Sequence, residues 1–206
     1  MEHQALILLF LQLGAMLLTA VVWNTSWFVL QAAYEPYTVR VLGLSAQMVG
    51  LSLAGYGVGM VVGALLASRV VASMRFEHAI VLGPAASVIA AAVMVLTLLV
   101  PSGLLAALSY FLFGAGPIIW TITSTTLRQT VTPAAILGRV SALFLTGNMG
   151  ARPFGAALGA LVGSTWGESA CLFLALLGFV IQSFLIYRSA AGRLVHLPTP
   201  TPTPGD

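Results

Sequence analysis

Residues Ala79–Val100, AIVLGPAASVIAAAVMVLTLLV, run for 22 positions without one charged side chain, and Pro101-Ser102-Gly103 then turns the chain into a second apolar run that lasts to Leu127. A membrane-spanning helix needs about 20 mostly apolar residues, so this pair has the length of two spans joined by a tight turn. Both runs are apolar nearly all round. They lack the two-residue alternation that a lipid-facing β-strand carries, which selects helices over a barrel.

Six such runs follow one another, near residues 5–32, 44–67, 79–100, 103–127, 141–163 and 167–187. The chain of 206 residues is 59% hydrophobic and 6% charged, with mean hydropathy +1.03, whereas soluble domains are about 25% charged. So few charges would not cover the surface of a water-soluble fold. The expected fold is an all-α membrane protein, a bundle of six transmembrane helices over residues 1–190. After it comes a Pro/Thr-rich cytoplasmic tail, residues 191–206, expected to be extended and disordered. Met1-Glu2-His3 brings no basic residue to the first run, and that run is far longer than the roughly 7–15 residues of a signal-peptide core. It reads as the first span. Turn signals at Glu35-Pro36-Tyr37, Thr132-Pro133 and Thr165-Trp166-Gly167-Glu168 separate the others. Such short connections make consecutive spans antiparallel neighbours and leave no room for a soluble catalytic domain.

The arginines orient the bundle. Arg69 and Arg75 lie between spans two and three, Arg128 and Arg139 between four and five, and Arg188 and Arg193 after six, all on one side; the other side holds Arg40, with Glu35 and Glu168. Cationic loops stay in the cytoplasm, which places both termini there, in a plasma or inner membrane. With a formal charge of only +3 and no basic run outside these loops, the expected surroundings are a lipid bilayer and no nucleic acid.

Span two carries Gly55, Gly59 and Gly63, and span five carries Gly155, Gly159 and Gly163, each set on one helical face. Small residues every fourth position let helices approach closely in lipid, either within this chain or, as two matching stripes suggest, against another helical bundle. Arg152 lies about 20 Å along span five from Arg139 at 1.5 Å per residue, close to the bilayer midplane. A charge there costs about 2.5–3.5 kcal/mol on insertion scales. Asn148, Arg152 and the three glycines step by three or four and share a face. Glu2, Glu35, Glu77, Glu168 and Asp206, the only acidic residues, all fall in loops or at the ends. Arg152 therefore binds an anionic ligand, meets a carboxylate from outside this chain, or snorkels to backbone carbonyls beside Pro153.

Asn24 and Gln31 on span one, and Trp120, Thr121 and Ser124 on span four, are candidate path-lining residues, although Ser and Thr in lipid often bond their own backbone. Trp23, Trp27 and Tyr34 fit interface anchors equally well. Gly114-Ala115-Gly116-Pro117 marks a kink or a close approach in span four. Cys171, the single cysteine, permits neither an internal disulfide nor a thiolate cage, and no metal or cofactor is expected. No paired intramembrane carboxylates, HExxH, phosphate loop or Ser-His-Asp set occurs, so the chain does not read as an enzyme.

The stretch Thr126-Leu127-Arg128-Gln129-Thr130-Val131-Thr132-Pro133 through Ile136-Leu137-Gly138-Arg139-Val140-Ser141-Ala142, followed by Pro153-Phe154-Gly155-Ala156-Ala157-Leu158-Gly159, resembles the C-terminal half of a major facilitator superfamily transporter, in the enterobactin-exporter-like and drug-efflux branch. Val41-Leu42-Gly43-Leu44-Ser45 with Gly55-Tyr56-Gly57-Val58-Gly59 adds to the likeness, which covers residues 5–190. The resemblance implies that the spans are helices seven to twelve, and that Arg128, Pro133, Gly138 and Arg139 belong to a cytoplasmic loop motif. It also implies that spans two and five line the junction with a second bundle, and that transport proceeds by rocking about a midplane site. Met1 precedes the seventh-helix equivalent directly, so the expectation is a half-length chain needing an N-terminal half or a second copy of itself. Ser68 stands where the family's degenerate loop motif has an acidic residue. The expected function is secondary active efflux of a small organic molecule; the alternative is a non-transporting fragment, or a bundle that regulates a full-length relative.

Overall fold

The computed structural model describes residues 2–189, with side chains from Leu11 onward. The expected disordered tail lies outside the described residues. Six helices follow in order: α1 Glu2–Arg40, α2 Ala46–Ser73, α3 Phe76–Leu96, α4 Gly103–Val131, α5 Ala134–Trp166 and α6 Glu168–Arg188. Five are long and apolar enough to cross a membrane, α1 counted from Leu11. The exception is α5, whose glycines, Arg139, Asn148 and Arg152 dilute its hydropathy; it is nonetheless 33 residues long and packs along α1.

Most helices outrun their apolar cores. The largest departure is at Glu35-Pro36-Tyr37, read above as a turn: α1 continues through Pro36 to Arg40. Proline removes one backbone donor, and such a loss is tolerated in membrane helices where side chains tie the segment down. Here Tyr37 is fully buried with its hydroxyl 2.7 Å from Thr97 Oγ1, and Thr38 Oγ1 donates to the Tyr34 carbonyl at 2.9 Å. At two of the breaks a serine caps the next helix. Ser45 accepts from Met48 N, and Ser102 accepts from Leu105 N. Between α5 and α6 the chain turns on Gly167 at φ +84°, a conformation L side chains rarely adopt.

Helix pairing departs from sequence order. The close partners are α2 with α4, α3 with α4, α1 with α5 and α6, and α3 with α6, while α1–α2 and α2–α3 barely touch. The expectation that consecutive spans are packing neighbours holds for α3 with α4 and is corrected for α1–α2 and α2–α3, because in lipid the close contact goes to whichever helix offers a small-residue face. Those faces also settle the glycine stripes. A methyl on Gly59 would strike the backbone of Phe111 and Ala115, and one on Gly63 the backbone of Ala115, both in α4; Gly155 and Gly159 press on Thr25, Val29 and Ala32 of α1, and Gly163 faces Cys171 of α6. Gly59, Gly63, Gly155 and Gly159 are thus buried against helices of this chain, while Gly55 and Gly163 are half-buried.

Candidate functional site: a two-lobed groove with an arginine in each lobe

With α2 drawn to α4 and α5 to α1, a cleft remains whose floor is α1 and α4 and whose walls are α2 and α5. One lobe has a cavity volume of about 240 Å³; Trp23, Asn24, Tyr56, Trp120, Asn148 and Arg152 contribute its polar and aromatic lining. A second lobe, also about 240 Å³, is lined by Ser124, Thr125, Arg128, Ser141 and Phe144. Ala20, Trp120, Thr121 and Asn148 line both, so the lobes adjoin.

Arg152 is exposed within this chain, with its guanidinium carbon 5.7 Å from the Phe28 ring centroid. It sits one step round α5 from the Gly155–Gly159 face: three residues rotate by about 300°, which leaves the glycines against α1 and the arginine toward the cleft. The ion pairs among the described residues are Arg40–Glu168 and Arg75–Glu77, with His78 Nε2 3.9 Å from Glu77 Oε1, all at helix ends. None involves Arg152. Asn24, buried, donates from Nδ2 to the Ala20 carbonyl at 2.9 Å and to Asn148 Oδ1 at 3.4 Å, bridging α1 and α5 across the waist.

Arg128 belongs to the last turn of α4, and its side chain turns into the second lobe, with the guanidinium carbon 4.7 Å from the Phe144 centroid and Nε shielded from solvent without a hydrogen-bond partner. Thr121 and Ser124 bond the Pro117 and Thr121 carbonyls of their own helix, as Ser and Thr do in apolar surroundings. They still line the cleft. The site residues Pro133, Gly138 and Arg139 of the loop motif lie at the α4–α5 turn and the start of α5, outside both lobes.

Gln31 is outside the groove. Its Oε1 accepts from the Tyr110 hydroxyl at 2.7 Å, within an aromatic column that fills the space between α1, α4 and α6. Trp27 stands 5.2 Å from Tyr56 and 4.9 Å from Phe113, and Tyr34 stands 4.1 Å from Tyr110. Trp27 and Tyr34 are therefore core residues and not interface anchors. Trp23 stacks on Trp27 at 5.7 Å, donates to Ser87 Oγ at 2.9 Å and reaches the groove wall. The lining roles of Trp23, Tyr56 and Arg128 had no clear signature in sequence, apart from the four-residue spacing of Trp23 and Trp27.

The groove is accompanied by two likenesses to known proteins. Residues 11–196 match a family described as transmembrane secretion effector. Over 161 residues the chain is 31% identical to the enterobactin exporter EntS of Citrobacter koseri, an alignment covering 78% of this chain and 38% of that relative. The chain thus spans well under half the length of the exporter it matches.

Proposed function

The chain belongs to the transmembrane secretion effector family of major facilitator proteins, and on that footing we propose that it is one six-helix half of an exporter that moves a small organic molecule by alternating access. The partner is an N-terminal bundle closing over the open side of the cleft, in preference to a second copy of this chain. The groove is the path, Arg152 with Asn148 and Asn24 its midplane site, and Arg128 its cytoplasmic end. An orientation with both termini in the cytoplasm is supported by Arg69, Arg75, Arg128, Arg139 and Arg188, which gather at one end of the bundle, and the exporter relative fits a plasma-membrane setting.

The observation that carries this reading is Arg152, a charged side chain at mid-helix that faces a cleft without a carboxylate partner among the described residues. Intramembrane charges are expensive and belong to ligand and ion paths. Enterobactin is the first probe to try, given the relative's name. In cells lacking their own enterobactin exporter, the full polypeptide carrying this sequence restores release, residues 1–206 alone do not, and Arg152→Ala in the full polypeptide reduces release at normal membrane abundance. Unchanged flux in Arg152→Ala for every exported probe would remove the arginine from the path.

A further inference from the structure

The second lobe is furnished differently from the first. Arg128 is held against Phe144 at 4.7 Å, its Nε is buried and unsatisfied, and around it stand the hydroxyl-bearing Ser124, Thr125 and Ser141. Among the described residues no Asp or Glu lines either lobe. A guanidinium that meets no carboxylate among the described residues, beside the Thr125 and Ser141 hydroxyls, matches the acceptor-only oxygens of a carboxylate or similar oxyanion. Trp120 lies at the waist between the lobes, and Trp23 and Tyr56 line the lobe beyond it, so the space next to the oxyanion suits a flat apolar body. We propose that the Arg128 lobe is a capture site for aromatic organic anions at the cytoplasmic mouth, separate from Arg152, and that the two arginines hold such an anion in succession.

This inference rests on the groove being the transport path, but binding at Arg128 is measurable without transport. Arg188 is the internal control: it lies at the same end of the bundle, stacks on Phe184 at 5.5 Å, and lines neither lobe. The test is a fluorescence-anisotropy titration of fluorescein, an aromatic anion, with the full polypeptide in detergent, set against rhodamine 6G, a cation on a similar ring system. Saturable fluorescein binding is expected, with rhodamine 6G at least about tenfold weaker. Arg128→Gln weakens fluorescein binding about tenfold, the scale of one charge-assisted contact; Arg188→Gln leaves it within about twofold, and Arg128→Lys recovers part of the loss because it restores the charge without the fork. Where Arg128→Gln does not fold, Ser141→Phe, which fills the lobe from α5, abolishes fluorescein binding. Absent saturable binding, equal affinity in Arg128→Gln or Ser141→Phe, or equal weakening by Arg188→Gln overturns the capture site. Fluorescein binding that depends on Arg128 in a protein that exports nothing sinks the transport reading alone.

Discussion

Asn24 of α1 and Asn148 of α5 meet at the waist of the groove, Nδ2 to Oδ1 at 3.4 Å, and Asn24 is separately satisfied by the Ala20 carbonyl at 2.9 Å. Because the second bond survives, the pair contributes little to folding. Interhelical hydrogen bonds in membranes average about 0.6 kcal/mol. Asn148→Ala is therefore expected to cost about 1 kcal/mol or less in a thermal melt, while export falls several-fold because the polar waist is lost. A large loss of stability with unchanged export would make the pair structural only.

The glycine contacts yield a contrast within one helix. A methyl at Gly59 would lie 2.9 Å from the Phe111 carbonyl carbon and 3.1 Å from Ala115 N, both rigid backbone, whereas one at Gly57 would meet nothing within 4 Å. Gly59→Leu has to push α2 off α4, and overpacking of this kind costs about 1–3 kcal/mol or more. Gly57→Leu is expected to be near neutral. Melting the two variants in the same detergent checks this; equal effects would contradict the α2–α4 contact.

The bundle itself was legible because its signal is local: uncharged runs of span length, and arginines recurring at every second loop, need no knowledge of what packs where. Arg152 stood out for the same reason, as a charge in a run that tolerates none. Helix pairing was not legible. Gly55, Gly59 and Gly63 announce a close approach, but the announcement is the same whether the neighbour is α4 or a different bundle. Pro36 misled because the interactions that keep α1 intact past it, Tyr37 with Thr97 above all, join residues 60 apart in sequence. Arg128 looked like a loop residue, since it sits at the end of an apolar run; only the register of α4 turns its side chain inward over Phe144.

Gln31, expected on the path, lines neither lobe and bonds a member of the aromatic column. Tyr110 is fully buried, and its hydroxyl donates to Gln31 Oε1 at 2.7 Å. Tyr110→Phe strands the Gln31 amide and should cost about 1 kcal/mol, the usual penalty for a part-buried acceptor left without its donor. Adding Gln31→Leu removes the stranded group, so the double variant should be no less stable than Tyr110→Phe alone. A strictly additive cycle would show that the two side chains do not interact. Export should be affected by neither beyond the change in folded protein, because Gln31 lines neither lobe.

The groove also makes a prediction about water and charge that needs no known substrate. Cys171, the only native cysteine, is fully buried and donates its thiol to the Gly159 carbonyl at 3.3 Å, so it is inert toward polar reagents. Engineered thiols in residues 1–206 then report their own surroundings. Thr121→Cys places a thiol where both lobes meet, between Arg152 and Arg128, while Leu177→Cys lies on an exposed apolar position of α6 that lines neither lobe. In membranes, charged methanethiosulfonates should modify the first and spare the second, since a thiolate does not form in lipid. At Thr121→Cys the anionic sulfonate reagent should outpace the cationic ammonium reagent by about tenfold at low salt, because the arginine-lined cleft raises local anion concentration. The difference should shrink as ionic strength shortens the Debye length from about 30 Å at 0.01 M to about 8 Å at 0.15 M. Repeating the measurement in Arg128→Gln and Arg152→Gln divides the effect between the two lobes. Faster reaction of the cationic reagent than at a solvent-exposed thiol would mean that the two arginines do not set the field in the groove.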